Sequence, residues 1–217
     1  MKSHLRQLNI FLIIFFGISL FFYILINGGA FTRNLRYALF LNSPFASSDL
    51  KSGEILAFSG DPDEIKQLKS GEYELYLPKI DTRTPIIVPT ENTTKGILAG
   101  MEEGVSIYPD SAPISEKIGR SVILGHSSRA SWYRGEYATV FSLLPQMKVG
   151  DKFYILSKNQ KLTYEVFAVN YLSPADTNLE LSKPTNFAEV DLITCYPIGS
   201  ASKRNLVQAK LVSAEKL

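Results

Sequence analysis

A mainly β fold, a closed antiparallel barrel or a sandwich, is what this sequence predicts, and two features carry the prediction. After Gly71 the chain breaks into short β-rich runs separated by turn residues, and long helical patterns are few. The part that follows an N-terminal apolar segment is also close to the usual size of one domain, so a single core is the economical reading.

The first element is the run from Leu8 to Ile26, which is almost entirely apolar and holds no charged side chain. At about 1.5 Å per residue a helix of this length crosses the roughly 30 Å hydrocarbon layer. The competing reading is a signal peptide cut near Gly28-Gly29-Ala30, but the apolar run exceeds the usual signal core of roughly 7–15 residues. Lys2 and Arg6 before the run nearly balance Arg33 and Arg36 after it. The short N-terminal tail ahead of a large domain favours the amino end inside. The expected layout is a cytoplasmic tail over 1–7, a transmembrane helix over 8–27, a linker over 28–71 and a domain outside the cytoplasm over 72–217. Within the linker, Asn34 to Leu41 and Asp63 to Lys69 each read as a short helix, the second capped by Asp61 ahead of Pro62.

The strands follow in order. Tyr73 to Leu77 alternates; then come Lys79-Ile80, Pro85 to Val88, Ser121 to Leu124, Lys152 to Ser157, Lys161 to Val169, Glu189 to Thr194 and Asn205 to Val212. The clearest hairpin joins Lys152 to Leu156 with Thr163 to Val169, and Thr139 to Leu144, ahead of Pro145, reads as a short helix. Asn92-Thr93-Thr94 fits a glycosylation acceptor, but so short a pattern recurs by chance and is read as a polar loop.

Composition excludes several functions. A net charge of +2 from 23 basic and 21 acidic residues, with no basic block interleaved with aromatics, gives no reason to expect nucleic acid. The lone cysteine rules out an internal disulfide, and no Cys/His pair stands at the spacing of structural zinc. Glu102, Glu103, Asp110, Asp176, Glu180 and Glu189 are scattered, which gives calcium no support, and no cofactor is expected. Gly-x-Ser-x-Gly, His-Glu-x-x-His and the glycine-rich phosphate and dinucleotide loops are missing.

The chemistry gathers in Asp191 to Val207. An apolar strand delivers Cys195 to its end, a turn runs through Pro197 and Gly199, and a returning strand begins beside Arg204. A thiol at such a rim is reactive once it is deprotonated, whereas a cysteine packed inside a strand is inert. His126 closes the apolar run Ser-Val-Ile-Leu-Gly-His and is the only histidine besides His4, which precedes the apolar segment. A core or surface histidine held by hydrogen bonds is its bland alternative. Arg204 presents a fixed fork of donors that suits an oxyanion better than its neighbour Lys203, although a solvated basic loop tip is the competing reading.

Taken together these residues resemble the sortases, membrane-anchored bacterial cysteine transpeptidases. Leu192-Ile193-Thr194-Cys195 is similar to the family's Thr-Leu-x-Thr-Cys signature with Asp191 in place of the first threonine, and Arg204 stands at the arginine position nine residues on. Gly104 to Pro109, Ser121 to His126 and Val149 to Phe153 resemble further family segments in the family's order, so the likeness spans about Leu77 to Val212. The resemblance implies an eight-stranded closed β-barrel with short helices and a two-step acyl transfer. In it, Cys195 forms a thioester with a C-terminal sorting signal, His126 moves the protons and Arg204 steadies the oxyanion. It further implies a substrate contact for Thr194 and a specificity loop over Ser173 to Phe187. The implied partners are secreted proteins bearing a sorting signal, an amine acceptor from an envelope precursor or a pilin, and the lipid bilayer. Ser127 stands where many pilin-building members have arginine, Asp61-Pro62 lacks their following aromatic, and no second membrane segment is expected after Val212, so the subclass stays open. Two rival readings are a catalytically silent anchored barrel that binds an envelope partner, and an L,D-transpeptidase. The second usually carries Ser-His-Gly-Cys in one stretch, which Ile193-Thr194-Cys195 does not match.

Overall fold

Alternation decides the core. In β1 (Tyr73–Leu77) the side chains of Leu75 and Leu77 are buried while Tyr76 between them is not, as the two-residue period of a strand requires. The structure, a computed structural model, describes residues 2–41, 73–109, 111–128, 135–157 and 159–217; in the N-terminal helix the side chains described are those of 6–7, 9–24 and 32–35.

Eight strands form the domain: β1, β2 (Thr82–Ile87), β3 (Val105–Ile107), β4 (Gly119–Leu124), β5 (Lys152–Ser157), β6 (Gln160–Leu172), β7 (Ala188–Tyr196) and β8 (Lys203–Lys216). They close into a barrel in the order β1-β2-β3-β4-β7-β8-β6-β5. The barrel is mixed where an antiparallel one was expected, because β2 runs parallel to β3 and β4 parallel to β7. A parallel pair needs a crossover. Helix α2 (Thr94–Glu103) supplies the first, and everything between β4 and β7 supplies the second. The barrel interior is filled by Leu75, Leu77, Val105, Ile123, Phe153, Ile155, Leu162, Tyr164, Val190, Leu192, Val207 and others, with Phe141 and Leu144 plugging it from the segment after β4.

Several expectations shift by local chemistry. Lys79-Ile80 is a 3-10 turn over Pro78–Ile80, not a strand. Pro78 has no N–H for a ladder, and Asp81 turns the chain with a left-handed φ of 46°. The eighth strand is β3 instead. Helix α2, unforeseen, is capped by Thr93, whose hydroxyl accepts from the Gly96 N–H at 3.1 Å, so the polar Asn92-Thr93-Thr94 loop is a helix start. Thr139 to Leu144 lies in turns followed by one 3-10 turn, Leu144–Gln146, since Pro145 denies a longer helix its hydrogen bond.

One helix, α1 (Lys2–Leu41), takes in both the apolar run and the separate short helix expected over Asn34 to Leu41. Its large apolar side chains from Ile10 to Ile24 are exposed, Ile13 by 71% and Phe16 by 67%. Counted over the described residues, no helix is long and apolar enough to cross a membrane. Past that stretch Arg33 fastens α1 to the barrel, donating to Thr82 Oγ1 at 2.6 Å and to the Thr139 carbonyl at 3.1 Å. The helix expected over Asp63 to Lys69 lies outside the described residues.

Candidate active site

Strand register builds the site. On β7, Val190 and Leu192 point into the barrel core, so Glu189, Asp191, Ile193 and Cys195 point out. The neighbouring strands match them in rows. Arg120 on β4 faces Glu189 and then Lys210 on β8; Val122 faces Asp191 and then Gln208; Leu124 faces Ile193 and then Leu206. One step further the β7–β8 ladder sets Cys195 opposite Arg204. On the other side the Gly125 N–H donates to the Ile193 carbonyl at 3.1 Å, which carries the β4–β7 ladder on to His126. Cys195 and Arg204 therefore face each other at the end of one outward face on β7 and β8, and His126, two residues past the end of β4, continues that row on the β4 side. All three side chains are half-buried.

Hydrogen bonds fix the row from beneath and behind. Thr194 Oγ1 donates to the Gly125 carbonyl at 2.8 Å, and the Phe141 N–H donates to the His126 carbonyl at 2.9 Å. The Gly199 N–H donates to Ser128 Oγ at 3.0 Å, lacing the loop after Cys195 to the segment after His126. Gly125 has no substitute here: a Cβ on it would sit 2.4 Å from the Phe141 ring. Arg204 is held over its own turn, Nη1 donating to the carbonyls of Ala201 and Lys203 at 3.0 and 3.1 Å.

Below the row lies a groove of about 540 Å³. Val122, Leu124 and Ile193 make an apolar floor, Tyr108 one side, and Arg204 the end beside Cys195. The opposite wall is helix α3 (Pro174–Leu181), whose Pro174, Thr177, Asn178 and Leu181, with Ser182 beyond it, face the groove. The expected specificity loop over Ser173 to Phe187 thus lines the groove, and within it Ser173 caps α3, its hydroxyl accepting from the Asp176 N–H at 3.1 Å. Thr194 lies elsewhere. The residue is only 2% exposed, and its hydroxyl is taken up by the Gly125 carbonyl next to His126.

Sequence reasoning missed the groove floor and a polar cluster at the far end of the same face. Arg120 touches both Glu189 and Asp191, with Nη2 3.2 Å from Glu189 Oε2 and Nε 3.3 Å from Asp191 Oδ2. The signal was present in Glu189-Val-Asp191-Leu, where charged residues alternate with apolar ones and so face away from the core. Among the described residues, no group of three or more His, Cys, Asp or Glu side chains is placed to hold a metal ion.

Comparison with known proteins bears on the fold and the family. The family model for the sortase domain matches residues 75–212. Sortase C-1 from Actinomyces oris is 31% identical with a TM-score of 0.50, over 65% of this chain and 73% of that one. A lid mutant of sortase A from Corynebacterium diphtheriae is 28% identical with a TM-score of 0.55, over 86% and 93%. Sortase E1 from Streptomyces coelicolor, solved with a tripeptide in the active site, shares the fold at 20% identity and a TM-score of 0.54, over 68% and 91%. A search of curated proteins gave no match.

Proposed function

The chain belongs to the sortase family of cysteine transpeptidases, and on that premise we propose that it cleaves a C-terminal sorting signal of secreted proteins and passes the acyl group to an amine. The observation that carries this reading is the single outward row of His126, Cys195 and Arg204 above an apolar groove. Cys195 is the only cysteine in the chain, so it is the one residue able to serve as the family's nucleophile.

In the first step the Cys195 thiolate attacks the carbonyl carbon of a Thr–Gly-type bond. The negative charge that develops on the carbonyl oxygen is met by the Arg204 fork, which has only to let go of its two turn carbonyls to reach it. The C–N bond breaks as protonated His126 gives its proton to the leaving amine, and a thioester remains on Sγ. In the second step an incoming amine attacks the thioester carbonyl, loses its proton to His126 and releases the Cys195 thiolate. Helix α3 and the apolar floor hold the peptide upstream of the scissile bond. Attachment of single proteins and polymerisation of pilins use the same two steps and differ only in the amine.

The same reading takes α1 as a membrane anchor, which the exposed apolar side chains from Ile10 to Ile24 support, with the barrel outside the cytoplasm. The deciding experiment incubates the purified chain with a fluorescent sorting-signal peptide and an amine. The expected result is a new amide product and a trapped thioester, both gone in Cys195→Ala. Cleavage that survives this substitution sinks the mechanism.

A further inference from the structure

Helix α3 is only eight residues long, yet it forms a whole wall of the groove. A helix ends with backbone carbonyls that have no partner inside it, and a short one has little else to hold its end in place. Here the end is gripped from the sheet below. Arg120 Nη1 donates to the carbonyls of Glu180, Leu181 and Lys183 at 3.1, 2.6 and 2.9 Å, and Leu181 and Ser182 of that same turn line the groove. The apolar contact of α3 is narrower, with Leu181 resting on Val122, Ile193 and Leu206.

Arg120 is itself fixed. Its Nη2 donates to both oxygens of Glu189, at 3.3 and 3.2 Å, and its Nε lies 3.3 Å from Asp191 Oδ2, outside hydrogen-bond geometry. Gln208 Nε2 donates to Glu189 Oε1 at 3.3 Å, and Asn170 Nδ2 donates to Gln208 Oε1 at 3.1 Å, so four strands brace one guanidinium. The Arg120 side chain is 12% exposed, that of Glu189 1% and that of Asp191 none. As a source of stability such a buried cluster is poor, since well-packed apolar residues of similar volume do as well or better. What apolar residues cannot do is donate hydrogen bonds, here from the two N–H groups of one guanidinium nitrogen shared among three carbonyls, to a helix end.

We propose that Arg120 is a positioning residue for the peptide groove: it sets where the end of α3 stands, and with it which apolar side chain the groove accepts. The second half rests on the reading of the groove as the peptide site. Arg120 lies at the opposite end of the face from Cys195, three rows away, so it touches neither the reacting atoms nor their protons. Its effect belongs in substrate binding and choice, and the thiol chemistry is left as it was.

The test uses the full chain in detergent with Arg120→Gln and Arg120→Lys. Three measurements are compared with the unaltered protein: amide hydrogen exchange over 177–183, alkylation of Cys195 by iodoacetamide, and turnover of peptides carrying a Thr–Gly bond with Ala, Leu or Phe at one upstream position. Arg120→Gln is expected to speed exchange at the α3 end about tenfold or more. It should raise KM about tenfold with kcat within about twofold, and flatten the preference among the three peptides. Alkylation should not change. Lysine, a charged but unforked donor, should recover only part of the loss, and it decides the matter if the glutamine variant does not fold. Unchanged exchange in a folded variant overturns the proposal, as does faster exchange with KM and peptide preference intact. If the unaltered chain turns over none of the peptides, the reading of the groove falls and takes the selectivity half with it, while exchange still decides the placement of α3.

Discussion

At the scale of single residues, the site depends on side chains that do unlike jobs at one level of the sheet. Arg204 offers a fork where lysine offers a point charge. Arg204→Ala should therefore lower kcat/KM by about 10²–10³-fold, and Arg204→Lys should restore only a fraction, both read in the peptide assay. Gly125 does its work by having no side chain. Its neighbour His126 is placed by the bonds through Ile193 and Thr194, and any Cβ at 125 drives into Phe141. Gly125→Ala is expected to cost about 1–3 kcal/mol of stability by overpacking, measured by urea unfolding, and to slow turnover by shifting the imidazole. An alanine variant as stable and active as the parent would show that the ring gives way at no cost. Cys195 and His126 can be singled out in the sequence because each stands where an apolar run ends, and Arg204 because one begins just after it. The inward turn of Thr194 cannot be read there, since a hydroxyl beside a reactive thiol looks the same in a string of letters whichever face it takes.

At the scale of elements, the outward face of β4, β7 and β8 grades from a polar end through an apolar middle to the row of Cys195 and Arg204. Asp191 belongs to the polar end, where burial first, and then the facing Glu189, push its carboxyl up to about 8 against the pull of Arg120, with Glu180 adding to the rise. The folded protein therefore holds a proton that the unfolded chain releases above about pH 4, near the ordinary value of 3.8. The stability this proton contributes is complete below pH 4 and is lost as pH rises toward 8. Asp191→Asn should remove that slope, which is at most about 1.4 kcal/mol per pH unit. Urea midpoints of the two proteins at pH 5 and pH 7.5 test it, and parallel profiles would refute the assignment. Helices α2 and α3 were hidden in the sequence for a shared reason. Each is short and opens on a polar cap, Thr93 or Ser173, that by itself reads as a loop. Gly96 and Gly100 blur α2 further, although Gly100 is where the helix presses on Ser106, within 2.8 Å of an added Cβ.

At the scale of the whole molecule, the barrel explains why the row could not be read off the sequence. His126 and Cys195 are neighbours only because β4 and β7 pair in parallel across all of β5, β6 and α3, and no local pattern reports a contact of that span. Strand number was within reach, since short apolar runs and their turns are local; strand order was not. The helix α1 joins this assembly through Arg33 and Asn34, and Tyr23 within its apolar stretch donates to the Ile198 carbonyl at 3.4 Å. The full chain should need detergent for extraction from membranes, and a variant beginning at residue 42 should be released without it and still react with peptide. A full chain found wholly in the aqueous fraction would remove the anchor. Order along the chain has a last effect. The strand that brings the guanidinium is the final one, and it fills the gap between β7 and β6. Without β8 the sheet would stay open along both β7 and β6, and Cys195 would have no Arg204 set opposite it.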